Sequence, residues 1–552
     1  MPAFLYFLLP TSPTTPGTAP RRDRAIIHHA PIQYHRPKLT HSIYSARILF
    51  ISQGIVQVQR MNVDVLIIGA GPVGLAMAAE LARYGLSVRI VDKSSQRTDK
   101  SKALVLWSRT LEMFDRMGCT STFVDAGLKV TAANIVAGNK EIARFTLDGV
   151  ASPHPFALLL PQSDTERLLE QHLNNLGVEV ERSTELQQFT AADDHVVSTL
   201  INPQGQQQTV SSQWLIGCDG AHSAVRHELQ MDFVGDTMPS NWVLADVQLA
   251  GAPNPGEITV LWHTDGVLVI FPIKHDRYRV IADVGDTVHD TAPADPTLDD
   301  VQALLDRRGP GGVQASSPLW LAGFQINERK IANYRAGRVF LVGDAAHIHS
   351  PAGGQGMNTG IQDACNLAWK LALVTRNLCA SEPLLSSYSI ERSAVGDEVL
   401  KNAGRLTSIA IMKGEARQSI RNHLAALVFG LSPVRRLAAD TLTELSIGYP
   451  NSPLTISHPH FHHGPSAGDR APIRESEIPV STGNTPRFAV FAKADQACPQ
   501  FLALYSALVE PTLRQPFHED GLWLVRPDGY IALATKSGDW QQAAAFLDTL
   551  TI

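Results

Sequence analysis

The stretch "VDVLIIGAGPVGLAMAAELARYGLSVRIVD", residues 63–92, decides the fold of this chain. An apolar run at 63–68 has the composition of a buried parallel strand, and the glycine-rich run 69–74 follows it directly. Apolar residues at helical spacing come next, and a second apolar run ends at Asp92. Strand, glycine turn, helix and a strand with a terminal carboxylate form a dinucleotide-binding unit, so we predict a Rossmann-like α/β domain.

Each part of this glycine turn has a physical reason. Gly69 permits a tight turn, Gly71 lets the backbone approach a pyrophosphate, and Gly74 lets the helix pack closely on the strand. The helix N-terminus offers free N–H groups to phosphates, and Asp92 is placed to accept hydrogen bonds from ribose hydroxyls. The residues predicted to contact the nucleotide are Gly69, Gly71, Pro72, Val73, Gly74, Asp92 and Lys93. A purely structural strand–helix turn is the alternative, and the pattern alone does not separate NAD from FAD.

The composition narrows the class of protein. A chain of 552 residues, 44% of them hydrophobic, predicts two or three globular domains. Its 47 basic and 53 acidic residues give a net charge of −6 without a basic stripe, so we expect no nucleic-acid partner. No apolar run reaches the length of about eighteen residues that would indicate a membrane span. The 5 cysteines are scattered without C-x-x-C spacing, so we expect a cytoplasmic protein without disulfides or a metal site.

Residues 1–60 differ from the rest of the chain. They mix a short apolar run with proline, threonine and histidine, and they show no sustained helical or strand periodicity. A secretory signal would need a positively charged start and a small-residue cleavage site, and neither is present. We therefore expect an irregular N-terminal extension and a biological chain that starts at Met61, just before the first strand.

Two later stretches, taken with the first, point to one family. These are "WLIGCDGAHSAVRHEL", residues 214–229, and "GRVFLVGDAAHIHSPAGGQGMNTGIQDACNLAWKL", residues 337–371. In this order after the first glycine turn, they resemble the aromatic-ring hydroxylases, which are single-component flavoprotein monooxygenases that hold FAD and use NADH or NADPH. The resemblance runs from about Val63 to Arg392 and includes residues 158–173 and 387–400.

The resemblance implies roles for individual residues. Asp344 would hydrogen-bond the ribityl chain of FAD, and the glycine-rich segment 351–358 would pass under the flavin. Asp219 and Gly220 would touch both FAD and the incoming nicotinamide nucleotide. The full set of implied FAD contacts in these later segments is Lys102, Arg109, Gln162, Asp219, Gly220, Gly343, Asp344, Pro351, Gly353, Gly354, Gln355, Gly356, Met357 and Asn358.

Some of these implied contacts depart from the family pattern or have alternatives. Lys102 stands where many relatives carry arginine, and Asp92 stands where glutamate is more usual. Arg109 and Gln162 could instead be ordinary helix-face residues. Two histidines in the last stretch, His347 and His349, lack a third ligand at metal spacing, and we interpret them as structural.

Between residues 236 and 328 alternating strands replace the helical pattern. This region resembles the family's substrate-binding sheet, whose pocket must exclude water and orient an aromatic ring. His263 is the candidate catalytic residue; Arg277 and Tyr278 are the other polar side chains considered, and a position inside the sheet or on its solvent face is the alternative for each. The acidic residue that some phenol hydroxylases carry before the "RTLE" segment is absent here.

The remaining chain completes the predicted architecture. Residues 401–452 favour a helical connector, and residues 453–552 resemble the thioredoxin-like domain appended to phenol and polyketide hydroxylases, with Cys498 alone and no C-x-x-C. We expect this region to serve packing or contact within a homodimer, or to be a plain structural tail. The FAD-binding domain would then comprise residues 61–235 and 329–400, with residues 236–328 inserted.

The predicted protein is an FAD-dependent monooxygenase that uses NADH or NADPH and O2. The resemblance implies hydroxylation of a phenolic or polycyclic aromatic small molecule through a flavin C4a-hydroperoxide. The alternatives are an FAD-dependent reductase or dehydrogenase, and a catalytically idle flavin-binding protein. The predicted fold class is α/β: a Rossmann-like FAD-binding domain with an inserted β-sheet substrate domain and a C-terminal thioredoxin-like domain.

Overall fold

The computed structural model describes residues 61–552 except 139, 275, 287–292, 413, 430, 459 and 475. The expectations for residues 1–60 lie outside the described residues. The strands are β1 Met61–Ile68, β2 Val88–Asp92, β3 Val105–Leu106, β4 Leu128–Val130, β5 Ala132–Ala137, β6 Lys140–Thr146, β7 Ala157–Leu159, β8 Val180–Arg182, β9 Glu185–Ala191, β10 Val196–Ile201, β11 Gln207–Gly217, β12 Val234–Ala250, β13 Glu257–His263, β14 Gly266–Pro272, β15 Arg277–Asp286, β16 Gln314–Lys330, β17 Arg335–Ala336, β18 Val339–Leu341, β19 His347–Ile348, β20 Ile456–Ser457, β21 Ala489–Phe491, β22 Gly521–Val525 and β23 Ile531–Lys536. The helices are α1 Pro72–Arg83, α2 Ser108–Met117, α3 Thr120–Ala126, α4 Gln162–Asn175, α5 Ala224–Glu228, α6 Leu298–Arg308, α7 Gly356–Thr375, α8 Ser386–Ala410, α9 Glu415–Phe429, α10 Ser432–Leu442, α11 Cys498–Leu504 and α12 Trp540–Asp548.

The first sheet contains the strand that the opening stretch predicts. Its order is β17-β18-β11-β1-β2-β8, and β9 and β10 extend it beside β11. The pairs β1–β2, β1–β11 and β11–β18 are parallel, and Val65, Leu66 and Ile67 of β1 have no solvent exposure. Such a continuous apolar run is what a strand needs when helices cover both faces of its sheet. Helices α1 and α7 pack on each other beside this sheet, so α7 is fixed to the first glycine turn.

The second sheet has eight strands in the order β19-β16-β12-β15-β14-β13-β5-β6. It is larger than the predicted insertion, because β5 and β6 precede residue 236 and still join it. Helix α6 covers one face through Val301 and Leu305. The opposite face is apolar as well, and it packs against residues of the segment 104–107 and of α8. Side chains therefore alternate between two buried faces. A small third sheet, β3-β7-β4, is formed by strands that lie between β2 and β8 in the sequence.

The C-terminal part begins with helices and ends with a small sheet. Helix α8 starts at Ser386, so it crosses the predicted boundary at residue 400, and α9 and α10 follow it. The last sheet has the order β20-β23-β22-β21 and carries α11 and α12. The thioredoxin-like assignment of this part stays a prediction. Among the described residues, no helix combines the length and the apolar character that crossing a membrane requires.

Candidate functional site

Three of the sequence motifs meet at one edge of the first sheet. Strands β1, β11 and β18 run parallel, and their last residues are in register, Ile68 beside Gly217 and Gly217 beside Leu341. The segments that follow them are the glycine turn 69–74, the pair 219–220 and the pair 343–344. Ligands of open parallel sheets bind at the carboxyl edge of the strands. The structure thus brings together residues that lie more than two hundred positions apart in the sequence.

The three glycines of the first turn have separate functions. Gly69 has φ +100°, and a Cβ there would lie 2.4 Å from the carbonyl oxygen of Cys218. A Cβ at Gly74 would lie 1.9 Å from the carbonyl oxygen of Gly69. Gly71 differs, because a Cβ there would meet nothing within 4 Å. Gly69 and Gly74 are required by packing, whereas Gly71, just before the N-terminus of α1, leaves open space where the sequence predicts the pyrophosphate.

Asp92 supports the turn from the neighbouring strand. Its Oδ2 accepts the backbone N–H of Ala70 at 2.7 Å, and its Oδ1 accepts that of Ser94 at 2.8 Å. Arg182 lies 4.0 Å from the carboxylate, and Lys93 is exposed. The carboxylate is thus half-buried beside the turn, with capacity left for a ribose hydroxyl, since an ionised carboxylate has about four acceptor positions.

Asp344 follows β18 at the carboxyl edge of the first sheet. Its side chain is exposed, yet burial is the main cause that raises the pKa of its carboxyl above the ordinary value, with the charge of Lys102 acting in the opposite direction. Both observations hold if the carboxyl is open to solvent on one side and enclosed by protein on the others. An accessible acceptor in such a place suits the hydroxyls of a ribityl chain.

The glycine-rich segment before α7 is pinned from both sides. Trp107 Nε1 donates to the carbonyl of Gly353 at 2.8 Å, and the backbone N–H of Trp107 donates to Asn358 Oδ1 at 2.9 Å. Asn358 Nδ2 donates to the carbonyls of Val105 and Gly354 at 2.8 and 2.9 Å. Gln355 Nε2 donates to the carbonyl of Thr441 at 2.9 Å. Asn358 and Gln355 therefore shape the segment from inside the protein, and the free N–H groups of the α7 N-terminus remain for a ligand.

The rest of this segment shows a simple division. Met357 of α7 is buried in the core, and Pro351 is exposed at the start of the segment.

Asp219 follows β11, and its Oδ2 accepts the N–H of Val225 at 3.2 Å. Its Oδ1 is buried without a hydrogen-bond partner, and burial raises the pKa of this carboxyl. Gly220, next to it, has only open space beside it, as a ligand contact would require.

The two histidines of the last motif are held by the protein. His347 Nε2 lies 2.7 Å from Asp363 Oδ2, and its ring stacks on Tyr334 at 5.7 Å. His349 Nδ1 donates to the carbonyl of Ser350 at 2.9 Å, and burial lowers the pKa of His349 to about 4. In the described part of the chain, no three His, Cys, Asp or Glu side chains form a group that could hold a metal.

Arg109 is corrected by the structure. Its guanidinium has no solvent exposure, pairs with Glu112 at 2.9 Å and donates to the carbonyl of Asp528 at 2.8 Å. It also stacks on the ring of Tyr530 at 4.6 Å. The partners at 528 and 530 come from the C-terminal part of the chain, so the side chain holds two parts of the protein together and is not available to a phosphate.

His263 is corrected as well. Ile258 and Val260 of β13 pack on the side of the segment 104–107, and alternation along the strand puts His263 on the other face. Its Nδ1 accepts the N–H of Asp265 at 3.2 Å, and Asp265 pairs with Arg307 of α6. His263 therefore belongs to the α6 side of the sheet, away from the glycine-rich segments.

Arg279 is a site residue that the sequence analysis missed. It is buried on β15, forms a two-pronged pair with Asp246 at 2.7 and 2.8 Å, and donates to the carbonyl of Lys102 at 2.9 Å. Gln162 supports the same segment, because its Oε1 accepts the N–H of Ala103 at 3.1 Å. The available signal was an arginine directly before the apolar run 280–282, where a charged side chain needs a buried partner. Arg279 and Gln162 together fix Lys102 near Asp344.

A groove runs along the surface beside this site. One part, of about 450 Å³, lies between the segment around Ser101 and the sheet residues Asp246, Arg277 and Trp320. A second part, of about 520 Å³, contains Arg97, Thr98, Arg167 and Arg182, and both parts share Asp99, Ser163 and Asp164. The groove connects the neighbourhood of Asp92 with that of Lys102.

The first sheet, its three glycine segments and the second sheet beside them define an FAD-dependent oxidoreductase. A family model described as an FAD binding domain matches residues 62–403. An uncharacterized aromatic compound monooxygenase, YhjG, of Bacillus subtilis is 31% identical over 86% of this chain and 95% of its own length. A 6-methylpretetramide 4-monooxygenase of Streptomyces rimosus is 34% identical over 85% and 90%. The solved structure of OxyS anhydrotetracycline hydroxylase from Streptomyces rimosus matches 89% of this chain and 99% of its own, with 28% identity and a TM-score of 0.72.

These matches cover most of each chain, so the likeness is not limited to one module. The chain belongs to the FAD-dependent aromatic-ring hydroxylases and is a monooxygenase with FAD as its cofactor. The predicted family, fold class and cofactor are confirmed. The thioredoxin-like detail and the individual FAD contacts stay predictions.

Proposed function

We propose that this enzyme uses NADH or NADPH and O2 to add one oxygen atom to a phenolic or polycyclic aromatic ring. The observation that carries the proposal is the apolar face of the second sheet beside the glycine-rich segment. Val105 and Trp107, which pin that segment, pack with Ile258 of this face. The face continues through a cluster that contains Trp242, Trp262, Phe324 and Ile326. An aromatic ring lying there would be in a dry environment next to the proposed flavin position.

The residues of this chain have defined tasks in that reaction. FAD, once reduced, supplies the electrons with which O2 is activated for transfer of one oxygen atom. The N-terminus of α7 and the backbone of the segment 351–356 stabilise negative charge at the flavin. Asp344 and Asp92 orient the ribityl and ribose groups. The aromatic side chains of the second sheet orient the substrate ring and exclude water, which favours oxygen transfer over release of peroxide.

The substrate proposed here is a large aromatic molecule of several rings. Two of the compared proteins are named for 6-methylpretetramide and for anhydrotetracycline. The cluster that would face the substrate has two tryptophans, and Trp242 stacks with Phe324 at 6.4 Å. Arg421 lies over the ring of Trp262 at 4.1 Å. Flat aromatic surfaces of this kind favour a flat, extended partner.

We place the nicotinamide nucleotide in the surface groove. The groove lies between Asp92 and Lys102, next to the proposed FAD position, and it is lined by charged and polar side chains. Its arginines are paired with acidic neighbours, as in Arg97 with Glu170 at 2.9 Å and Arg167 with Asp164 at 3.0 Å. A groove on the surface allows the nucleotide to enter and leave in each catalytic cycle.

The test is a substrate screen with the FAD-loaded enzyme. NADH and NADPH oxidation, peroxide release and product mass are followed with single-ring phenols and with multi-ring aromatics. The proposal expects one multi-ring compound to accelerate oxidation and to gain the mass of one oxygen atom. Oxidation that yields only peroxide with every aromatic compound would contradict oxygen transfer to a ring.

A pair of variants connects the result to the proposed substrate face. Phe324→Leu removes an aromatic ring from that face, so we expect a higher KM for the aromatic substrate and more peroxide per NAD(P)H consumed. His263→Ala changes the opposite face and serves as the matched control, with KM and peroxide release as in the wild type. Equal effects of the two variants would show that the substrate does not lie on the Phe324 face.

A further inference from the structure

The carboxylate of Asp363 connects several elements behind the proposed FAD site. It lies on α7, two turns after the N-terminus of that helix, and it has no solvent exposure. Its Oδ2 accepts the backbone N–H of Gly343 at 3.0 Å and lies 2.7 Å from His347 Nε2. Its Oδ1 accepts Arg392 Nε at 2.5 Å. One carboxylate therefore joins α7, α8, β19 and the turn that carries Asp344.

The turn at Gly343 packs directly against α7. Gly343 has φ +62°, a conformation that side-chain-bearing residues rarely adopt. A Cβ at Gly360 on α7 would lie 3.2 Å from Gly343 Cα and 2.7 Å from Val73 Cγ2. The helix is thus in direct contact with both the Gly343 turn and the first glycine turn. The hydrogen bond from Gly343 N–H to Asp363 fixes the direction in which the next residue, Asp344, leaves the turn.

The charge of the Asp363 carboxylate is set by its neighbours and acts on Asp344. Burial alone would raise the pKa of Asp363, but the charges of Arg392 and His347 hold it below the ordinary value. The negative charge of Asp363 in turn acts to raise the pKa of Asp344. The charged and titratable groups around Asp363 are Arg392 and Tyr388 on α8, His347 and His349 at β19, Tyr334 before β17, Cys218 after β11, Glu444 after α10 and Asp344 itself.

We propose that Asp363 is a positioning residue of the FAD site: it acts through the Gly343 turn and sets the orientation of Asp344 without touching FAD. This inference rests on the proposed contact between Asp344 and the ribityl chain. The arrangement explains why a carboxylate is buried in this helix, since its acceptor positions hold three separate elements in one geometry.

The experiment measures FAD binding to the apo form of the full chain by the change in flavin fluorescence, over a range of pH. Asp363→Asn removes the charge and one acceptor from the turn. Asp344→Asn tests the underlying contact. Glu444→Gln is the matched control, because Glu444 is also buried beside α7 and accepts from Thr359 Oγ1 at 3.0 Å and from Gln362, but it does not touch Gly343.

The expected result has two parts. Asp363→Asn binds FAD about tenfold more weakly, the loss expected when a hydrogen bond to a charged group is weakened. Its pH midpoint for FAD binding also moves to lower pH, because the pKa of Asp344 falls once the neighbouring charge is gone. A merely structural role would weaken binding at every pH without moving the midpoint. Glu444→Gln keeps its FAD affinity within twofold of the wild type, and its pH midpoint does not move.

Other outcomes separate the two levels of the argument. An Asp344→Asn variant with unchanged FAD affinity would overturn the site assignment itself. A strong effect of Asp344→Asn with wild-type binding and midpoint in Asp363→Asn would overturn the positioning role, as would an equal effect of Glu444→Gln. If Asp363→Asn does not fold because Arg392 is left unpaired, the double variant Asp363→Asn with Arg392→Gln removes both charges and is measured in the same way.

Discussion

The polar groups at the two ends of α7 differ in whether the protein itself satisfies their hydrogen bonds. Near its N-terminus Asp344 is accessible, and Gly71 has open space beside it. Near its C-terminal half Lys370 and Asn366 contact Glu391, which also accepts two hydrogen bonds from Arg526 at 2.6 and 2.9 Å, all without solvent access. The first region leaves polar groups open for a ligand, and the second satisfies them internally. Charge alone does not mark a binding site; unused and reachable hydrogen-bonding capacity does.

The largest expected effect is at the buried end. Glu391→Gln leaves Arg526 and Lys370 without their shared carboxylate, so we expect the free energy of unfolding to fall by about 3–5 kcal/mol. Denaturant titration of the full chain measures this loss. The FAD affinity of the folded fraction should stay within twofold of the wild type. A large loss of FAD affinity without loss of stability would remove the distinction between the two ends.

Glu112 is a second buried carboxylate whose charge is satisfied inside the protein, and a pH series measures what that charge contributes to stability. Burial alone would raise its pKa, but Arg470 and Arg109 hold the pKa of Glu112 at about 2, below its ordinary value of 4.5. The stability that this carboxylate contributes is therefore present above pH 4.5 and is lost as the pH falls through 2. The difference amounts to about 3 kcal/mol. In Glu112→Gln this part of the acid sensitivity should be missing when denaturant midpoints are compared between pH 6 and the lowest pH at which the chain is soluble.

Arg109 offers the sharpest test of a sequence prediction that the structure corrects. Arg109→Met keeps the length of the side chain and removes its hydrogen bonds to Glu112 and to the Asp528 carbonyl, so we expect a loss of about 2 kcal/mol in stability. FAD binding should be as in the wild type. The reverse pattern, weak FAD binding in a chain of normal stability, would restore the FAD contact that the resemblance implies.

The smallest expected effect on stability is at Gly71. An alanine there meets no protein atom within 4 Å, so Gly71→Ala should change the free energy of unfolding by less than about 0.5 kcal/mol. FAD affinity should still fall about tenfold, because the methyl group occupies the space of the pyrophosphate. Gly74→Ala is the contrasting variant, since its Cβ would lie 1.9 Å from the Gly69 carbonyl oxygen and would disturb the fold itself.

The glycine segments could be predicted from the sequence because their chemistry is local. Gly69, Gly71 and Gly74 are spaced by the geometry of one turn, and each glycine has a steric reason that follows from that turn alone. Gly343 and the loop before α7 are predicted through the family resemblance, and their contacts with FAD stay predictions. The carboxyl edge at which they meet also follows from the rule that parallel strands point the same way, once their order is known.

The errors lie where partners are distant in sequence. The resemblance implies an FAD contact for Arg109, and its partners at 528 and 530 cannot be seen from the sequence around residue 109. Arg279 was missed for the same reason, since its value comes from Asp246 and from the Lys102 carbonyl. Strands β5 and β6 were left out of the substrate sheet because their pairing with β13 depends on a fold that local periodicity does not contain.

His263 is a different kind of error, because the signal was present. The residues before it on β13 alternate, and Ile258 and Val260 lie on the side of the glycine-rich segment. Counting in steps of two places Trp262 with them and His263 on the other face. The alternation of a strand whose two faces are both buried is hard to read from hydrophobicity alone, since both faces are apolar.

The register of the first sheet has a consequence for the order of events when the protein is made. Strand β1 pairs with β11, and β11 pairs with β18 through Gly217 and Leu341. The cofactor edge therefore cannot close until most of the chain has left the ribosome, including strands β12 to β16 of the second sheet, which lie between β11 and β18 in the sequence. Chains dominated by such distant pairings fold slowly, and their unpaired edges stay exposed meanwhile. FAD would then act late in synthesis, as the partner that holds the last strand in place.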